Sequence, residues 1–312
     1  MRAVGVTEFG GPEALRVVDV PERHASTGEV RIRVHAATVN PTDTFIRNGA
    51  RAELLAEHPP PYVPGMDVAG VLDEIGAGAQ TDLRVGDHVM AIVVPRGSHG
   101  GYSESLVLPA ESVVRVPAGV DDVAASTLPM NGLTARMALD MLALDAGQVL
   151  AVTGAAGALG GYAIQLAKAD GLQVIADAAE RDRELVRSLG ADVVVDRGDD
   201  VAARIREVEP EGVHGVVDTA LLNELVVPAV RDGGGVATVR GFDGEAERNV
   251  KYHPVFVREY FRENAKLDRL RQQVEDGAIT LRVARTFEPE QAGEAHRTLE
   301  AGGTRGRLVI VF

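Results

Sequence analysis

Cysteine is absent from all 312 positions of the chain, and so is tryptophan. Without cysteine there can be no disulfide, no thiol nucleophile and no thiolate metal ligand. Aromatic residues are scarce at 4%, which argues against the stacking platforms that hold single-stranded nucleic acid. Cationic tracts are lacking as well. Acidic residues number 46 against 32 lysines and arginines, a formal net charge of −14, so phosphate neutralisation would not drive nucleic-acid binding. The acid excess reads as a diffuse, solubilising surface. No apolar run reaches the length of about 18 residues that marks a membrane span. The first residues, Met1 to Val6, enter a strand-like pattern with no apolar h-region or cleavage site before it. A cytoplasmic location is expected.

What is present has a globular profile: 45% apolar and 25% charged residues, over a length that suits two domains. Residues 1–118 break into short strands at Ala3–Val6, Leu15–Val20, Glu29–Ala37, Val68–Ile75, His88–Val94 and Ser103–Leu108. Clusters such as Gly10-Gly11-Pro12 and Pro59-Pro60-Pro61 separate them, which predicts an all-β, partly barrel-like domain. From residue 119 the rhythm changes. Strands at Val149–Thr153, Gln173–Ala176, Val193–Val195, Gly215–Asp218 and Gly235–Val239 alternate with helices at Gly160–Asp170, Arg181–Leu189, Val201–Val208 and Leu222–Val230. That alternation predicts an α/β chain with a doubly wound parallel sheet. After about 258 come a polar helix (Glu259–Asp276), a strand (Leu281–Thr286), a helix past Pro289 and a last strand, Arg307–Val311. Composition leaves open which domain this tail joins.

The segment Gly154-Ala155-Ala156-Gly157-Ala158-Leu159-Gly160 follows a predicted strand and opens a predicted helix. Small residues in that setting let backbone N–H groups at the helix N-terminus approach a pyrophosphate. All seven are candidate dinucleotide contacts; the alternative is a tight turn that only packs helix on sheet. Asp177 ends the next strand, where a carboxylate would accept hydrogen bonds from an adenosine ribose. It would oppose a 2′-phosphate by about 4 kcal/mol, for unit charges about 4 Å apart. Arg181 and Arg183 follow; they could hold that phosphate or form a solvated helix face.

Several further blocks run in one order along the chain. They are Val6-Thr7-Glu8-Phe9-Gly10-Gly11-Pro12, Asn40-Pro41-Thr42-Asp43, Pro64-Gly65-Met66-Asp67-Val68-Ala69-Gly70, Val85-Gly86-Asp87-His88-Val89, Leu128-Pro129-Met130-Asn131-Gly132-Leu133-Thr134 and Gly306-Arg307-Leu308-Val309. With the glycine-rich turn they resemble, end to end, the zinc-independent quinone oxidoreductases of the medium-chain dehydrogenase/reductase family, the zeta-crystallin-like group. The resemblance implies a GroES-like substrate domain made from both chain ends, 1–118 and 258–312. A Rossmann domain, 119–257, is inserted between them, and the usual assembly is a homodimer in which the stretch near Tyr252–Val257 pairs across the interface.

The zinc-dependent relatives carry a catalytic cysteine and a Gly-His-Glu block. Here cysteine is absent and that block reads Gly65-Met66-Asp67, so no zinc and no other metal is expected. His88 and His99 are expected to be ordinary polar positions. The implied chemistry is hydride transfer from NADPH or NADH to a quinone or an α,β-unsaturated carbonyl, acceptors whose conjugation spreads the developing charge. On the same resemblance Asn40 and Asp43 line the pocket, Asn40 donating to a carbonyl or to the cofactor. Thr134 contacts the nicotinamide or its ribose, with packing at a helix start as its alternative, and Val239 and Gly241 reach the nicotinamide end. Arg240 is a candidate carbonyl or carboxylate clamp, with an ion pair to Asp243 or Glu245 as its alternative. Asp43 could orient a neighbour or relay a proton; its alternative is an Asx-type turn role after Pro41.

Departures from the family pattern matter. Phe45 and the Gly49-Ala50-Arg51 run stand where tyrosines are common, which leaves Tyr62 or water as proton donor. Ala155 and Ala158 replace glycines in the turn. The residues that usually hold the NADPH 2′-phosphate correspond to Asp182, Arg197 and Gly302; family habit favours NADPH, and these residues with Asp177 lean to NADH. Two other readings remain: an enoyl-thioester or alkenal reductase of a biosynthetic pathway, and a nucleotide-binding protein with a regulatory or structural role and little catalysis.

Overall fold

The structure is a computed structural model that describes residues 1–245 and 247–312. It divides into two units, the first made of Met1–Met130, Tyr260–Glu275 and Leu281–Phe312, the second of Asn131–Glu259 and Asp276–Thr280. Residues 119–130, expected with the nucleotide-binding domain, thus lie in the first unit.

In the first unit β1 (Arg2–Gly5) and β2 (Arg16–Asp19) form an antiparallel pair. The spine is β3 (Glu29–Val39), eleven residues of alternating burial. It leads into α1 (Pro41–Asn48), and β4 (Asp67–Ile75), β5 (His88–Ile92), β6 (Ser105–Pro109) and β7 (Val113–Arg115) follow. Along one edge β3 pairs with β4 over Val30 to Ala37; along the other its first half takes β6. α2 (Asp122–Ala125) and α3 (Pro129–Leu142) lead out of the unit.

The second unit carries the expected alternation: β8 (Val149–Thr153), α4 (Ala158–Ala169), β9 (Gln173–Ala178), α5 (Arg183–Ser188), β10 (Val193–Asp196), α6 (Val201–Val208), β11 (Val213–Asp218), β12 (Val230–Thr238) and β13 (Lys251–Pro254). All six strands pair in parallel, in the order β10-β9-β8-β11-β12-β13. Renumbered within the unit this is 3-2-1-4-5-6, the order of dinucleotide-binding sheets, with the chain reversing direction across the sheet between β8 and β11. Buried Val149, Ala151, Ile175, Val195, Ile205, Val216 and Val236 fill its core. The helix expected over Leu222–Val230 is instead a 3-10 segment, Asn223–Ala229. Pro228 lies inside it and supplies no N–H, while Leu221 and Asn223 take positive φ.

The tail returns to the first unit. After α7 (Asn264–Glu275) come β14 (Val283–Phe287), α8 (Ala292–Ala301) and β15 (Arg307–Val311). β15 lies between β14 and the second half of β3, antiparallel to the latter with Leu308 opposite Val39. Phe287, Leu308 and Ile310 join Val4, Ile32, Leu72, Val89 and Tyr102 in one buried cluster. None of the helices of the described residues is long and apolar enough to cross a membrane.

Candidate active site

The glycine-rich turn sits where the sheet order reverses. β8 ends at Thr153, whose hydroxyl donates to Asp218 at the end of β11, 2.6 Å away. Thr219 returns a hydrogen bond to the Thr153 carbonyl. These contacts pin the two strand ends together. Gly154 then takes φ +64, and a Cβ there would lie 2.5 Å from the Thr219 hydroxyl oxygen. Gly160 is in a helix and needs no special φ, but its Cβ would come within 2.5 Å of the Gly154 carbonyl oxygen. Glycine at 160 is what lets α4 lie against the turn. Gly157 is the N-cap of α4 with no side chain across the helix end, and Ala158 and Leu159 are partly exposed. The N–H groups of a first helical turn have no partner within the helix and carry partial positive charge. What the turn offers a pyrophosphate is the N-terminus of α4, approached through glycine and alanine.

Asp177, at the end of β9, is buried, and its carboxylate accepts the Ala155 N–H at 3.1 Å. Burial pushes its pKa up, opposed by hydrogen bonds from the turn and by nearby Arg197. It braces the turn from behind. Asp182 is buried too, whereas Arg181 and Arg197 are exposed. Arg183 is taken up by Asp196 at 2.6 Å and by the Val194 carbonyl. Thr134 on α3 is buried. Past β12, Val239 is half-buried, Arg240 is exposed at φ +63, and Gly241, at φ +77, lies against the Phe256 ring.

In the first unit, Asn40 and Asp43, expected in the pocket lining, are both 0% exposed. They form a capping box at the start of α1, with Pro41 behind the cap and Gly49 closing the helix at φ +76. The Asn40 amide donates to Asp67 at 2.7 Å and to the Thr38 carbonyl, and its oxygen accepts from Arg307. To donate to a substrate it would have to give these up. Asp43 accepts from the backbone N–H groups of Asn40 (2.7 Å) and Gly65 (3.1 Å) and from the Tyr102 hydroxyl (2.9 Å). Within this unit Asn40 holds Asp67 and Arg307, and Asp43 holds the start of α1 and Tyr102.

Sequence reasoning did not single out the rest of this buried network. The Tyr102 hydroxyl is 3.2 Å from His296 Nε2, and His296 Nδ1 faces Arg47, which also holds Glu300 with both terminal nitrogens. Arginine can only donate. The His296 ring therefore accepts at Nδ1, carries its proton on Nε2 and passes it toward Tyr102, which donates to Asp43. Burial, with the Arg47 charge, lowers the His296 pKa to about 3. Burial raises Asp43 to about 6 and Asp67 to about 7, against the hydrogen bonds that each accepts. Tyr62, by contrast, is half-exposed and stacks on Phe9 with ring centroids 5.2 Å apart. His99 is half-buried with Nε2 on the Val107 carbonyl at 2.7 Å.

Two family models match the chain. Residues 26–118 match the alcohol dehydrogenase GroES-like domain family and residues 189–310 the zinc-binding dehydrogenase family. Human quinone oxidoreductase is 30% identical over 337 aligned positions, covering 100% of this chain and 98% of its own. The chain belongs to the quinone oxidoreductases of the medium-chain dehydrogenase/reductase family. The quinone oxidoreductase of Coxiella burnetii superimposes with a TM-score of 0.86 at 26% identity, over 100% of this chain and 99% of that one. A mycobacterial protein solved as a complex with NADPH gives a TM-score of 0.87 at 27% identity, over 100% of both chains. The zinc in the second family's description finds no suitable ligand set at the Gly65-Met66-Asp67 block. There is no thiolate, the Met66 sulfur accepts from Thr42, and Asp67 is committed to Asn40 and the Met130 N–H.

Proposed function

We propose that the protein is an NAD(P)H-dependent reductase of quinones and α,β-unsaturated carbonyls whose hydride transfer uses no zinc. The observation that carries this reading is the pyrophosphate cradle at Gly154–Gly160, placed at the reversal point of a 3-2-1-4-5-6 sheet in a quinone oxidoreductase family member. Bound reduced nicotinamide supplies a hydride, and quinone plus NAD(P)H plus one proton gives hydroquinone plus NAD(P)+. The oxygens of a hydroquinone exchange protons with water, so no dedicated side-chain acid is required. Tyr62 is the candidate donor where one is used; Tyr102 is not, because it is buried with its pKa raised well above the ordinary range by burial and by Asp43.

The N–H groups at the start of α4 hold the pyrophosphate, Asp177 keeps the turn in shape through the Ala155 N–H, and Thr134, Val239 and Gly241 face the nicotinamide half. Arg240 binds the acceptor's oxygen. At the adenosine end, Asp177 is partly spent on the Ala155 N–H and Asp182 is partly offset by Arg181 at 3.8 Å, so both oppose a 2′-phosphate less than their sequence positions suggest. Exposed Arg197 is placed to pair with it, and Arg181, exposed beyond its loose contact with Asp182, can add a second charge. NADPH is therefore the preferred cofactor and NADH is also accepted. The test follows the loss of nicotinamide absorbance with each cofactor against quinones and enones, with and without chelator. Chelator-independent quinone turnover, with Arg197→Glu lowering kcat/KM for NADPH at least about tenfold and that for NADH little, is expected from the loss of one charge-assisted contact. Turnover abolished by chelator, or equal effects on both cofactors, contradicts the corresponding half of the proposal.

A further inference from the structure

Among the described residues, one group of His and Asp side chains converges as metal ligands do, and none of its members belongs to the buried network above. His35 lies on β3, His88 opens β5 and Asp122 opens α2. His35 Nδ1 is 2.7 Å from Asp122 Oδ2, and His88 Nδ1 is 2.9 Å from Oδ1 and 3.1 Å from Oδ2. One ligand atom from each of the three lies within 4.8 Å of the others.

Two further features point to a cation. The register of β3 against β4 shifts between Val34 and Ala36, which leaves His35 as the extra residue of a bulge. Bulges re-aim side chains, and here the imidazole is turned onto the carboxylate. The Asp122 side chain is only 10% exposed while the rings are 36% and 59% exposed, so the carboxylate forms the floor and the imidazoles the rim. The two histidines are its only ion-pair partners, with no lysine or arginine beside it among the described residues. A nearly buried carboxylate with only imidazole partners is a strong attractor for positive charge.

We infer that His35, His88 and Asp122 form a site for a divalent transition metal of the zinc, cobalt and nickel class. Two imidazoles and one carboxylate select that class over magnesium or calcium, which prefer all-oxygen shells. Three protein ligands leave the remaining positions to water. Without metal, both rings donate Nδ1–H to the carboxylate. With metal, the proton of each neutral ring moves to Nε2, which the part-exposed rings can offer to water. The ion cross-braces two strands and a helix of the first unit. It is separate from hydride transfer, so turnover is not the readout, and the site reverses the expectation that His88 is an ordinary polar position.

The test uses the untagged full chain stripped of metal. Titration with zinc is followed by calorimetry, titration with cobalt by visible absorbance, and the melting temperature is recorded with and without zinc. One zinc per chain, a higher melting temperature and cobalt bands from a nitrogen-containing shell are expected. In His88→Gln, at the most exposed ligand, affinity should fall at least about tenfold, the least that losing even an outer-shell partner costs a metal site. His35→Gln should do the same, and His24→Gln, at an exposed histidine outside the group, should change nothing. No stoichiometric binding to the wild type overturns the site. So does binding that survives in both His88→Gln and His35→Gln, or that weakens equally in His24→Gln.

Discussion

His296 shows how a single buried side chain sets a pH response. An unfolded imidazole takes its proton near pH 6.5, whereas in the fold this one does so only near pH 3. Between those values the unfolded chain holds the extra proton, so the contribution of His296 is complete at neutral pH and is lost as pH falls from about 6.5. Asp43 and Asp67 act in the opposite sense. Their folded pKa values, about 6 and 7, lie above the unfolded 3.8, so their contribution grows as pH falls through those values toward 4. Wild-type stability alone therefore blends opposing trends. Comparison with His296→Gln separates them. The difference in urea-unfolding free energy between the two proteins should shrink steadily from pH 7 to pH 5. A difference that stays constant would show that the ring is not held neutral. Much of this was illegible in sequence, because Tyr102 and His296 are 194 positions apart and Arg47 and His296 are 249 apart. Asn40 and Asp43 are a different matter. Asn40-Pro41-Thr42-Asp43 carries a cap residue, proline at the first helical position and an acid at the third, and the helix-start pattern was there to be read.

Among elements, the parallel sheet was legible because each strand is a short apolar run bounded by turn residues and each helix repeats with a different period. The predicted strand Val149–Thr153 and helix Val201–Val208 coincide with β8 and α6. α1 escaped, being short and closed by Pro41 and Gly49 at its ends, where periodicity has too few residues to register, and β13 was foreseen only through the family resemblance. The turn between β8 and α4 was read correctly in place, but its tolerances come only from geometry. Gly154 and Gly160 both approach backbone or hydroxyl oxygens so closely that a side chain requires movement of the turn. Gly160→Val should push α4 off the Gly154 carbonyl and weaken NADPH binding, read by nicotinamide fluorescence, by at least about tenfold, or 1.4 kcal/mol. The substitution is in a helix, so the unit itself should lose only about 1–3 kcal/mol from overpacking. Unchanged affinity would mean that the α4 N-terminus does not hold the pyrophosphate.

At the scale of the whole chain, the question that composition left open, where the tail goes, is answered by β15. It enters the first unit between β14 and β3, so this sheet is completed only when residues more than 250 positions apart meet, as Leu308 and Val39 do. Contacts at that separation are slow to form, and loop closure must precede any gain from them. Arg307, at the start of the same strand, also holds Asn40 in place, so sheet completion and the order of the buried network are linked. Ile310 is 0% exposed and sits opposite Ala37. Ile310→Ala should lower the stability of the first unit by about 2–5 kcal/mol, from lost burial plus the cavity left behind. Deleting residues 307–312 should go further, exposing the facing edges of β3 and β14 together and leaving insoluble chain, because two unpaired edges recruit other strands. Soluble, cooperatively melting protein after that deletion would show that the first unit closes without its last strand, and that Arg307 is not needed to order Asn40.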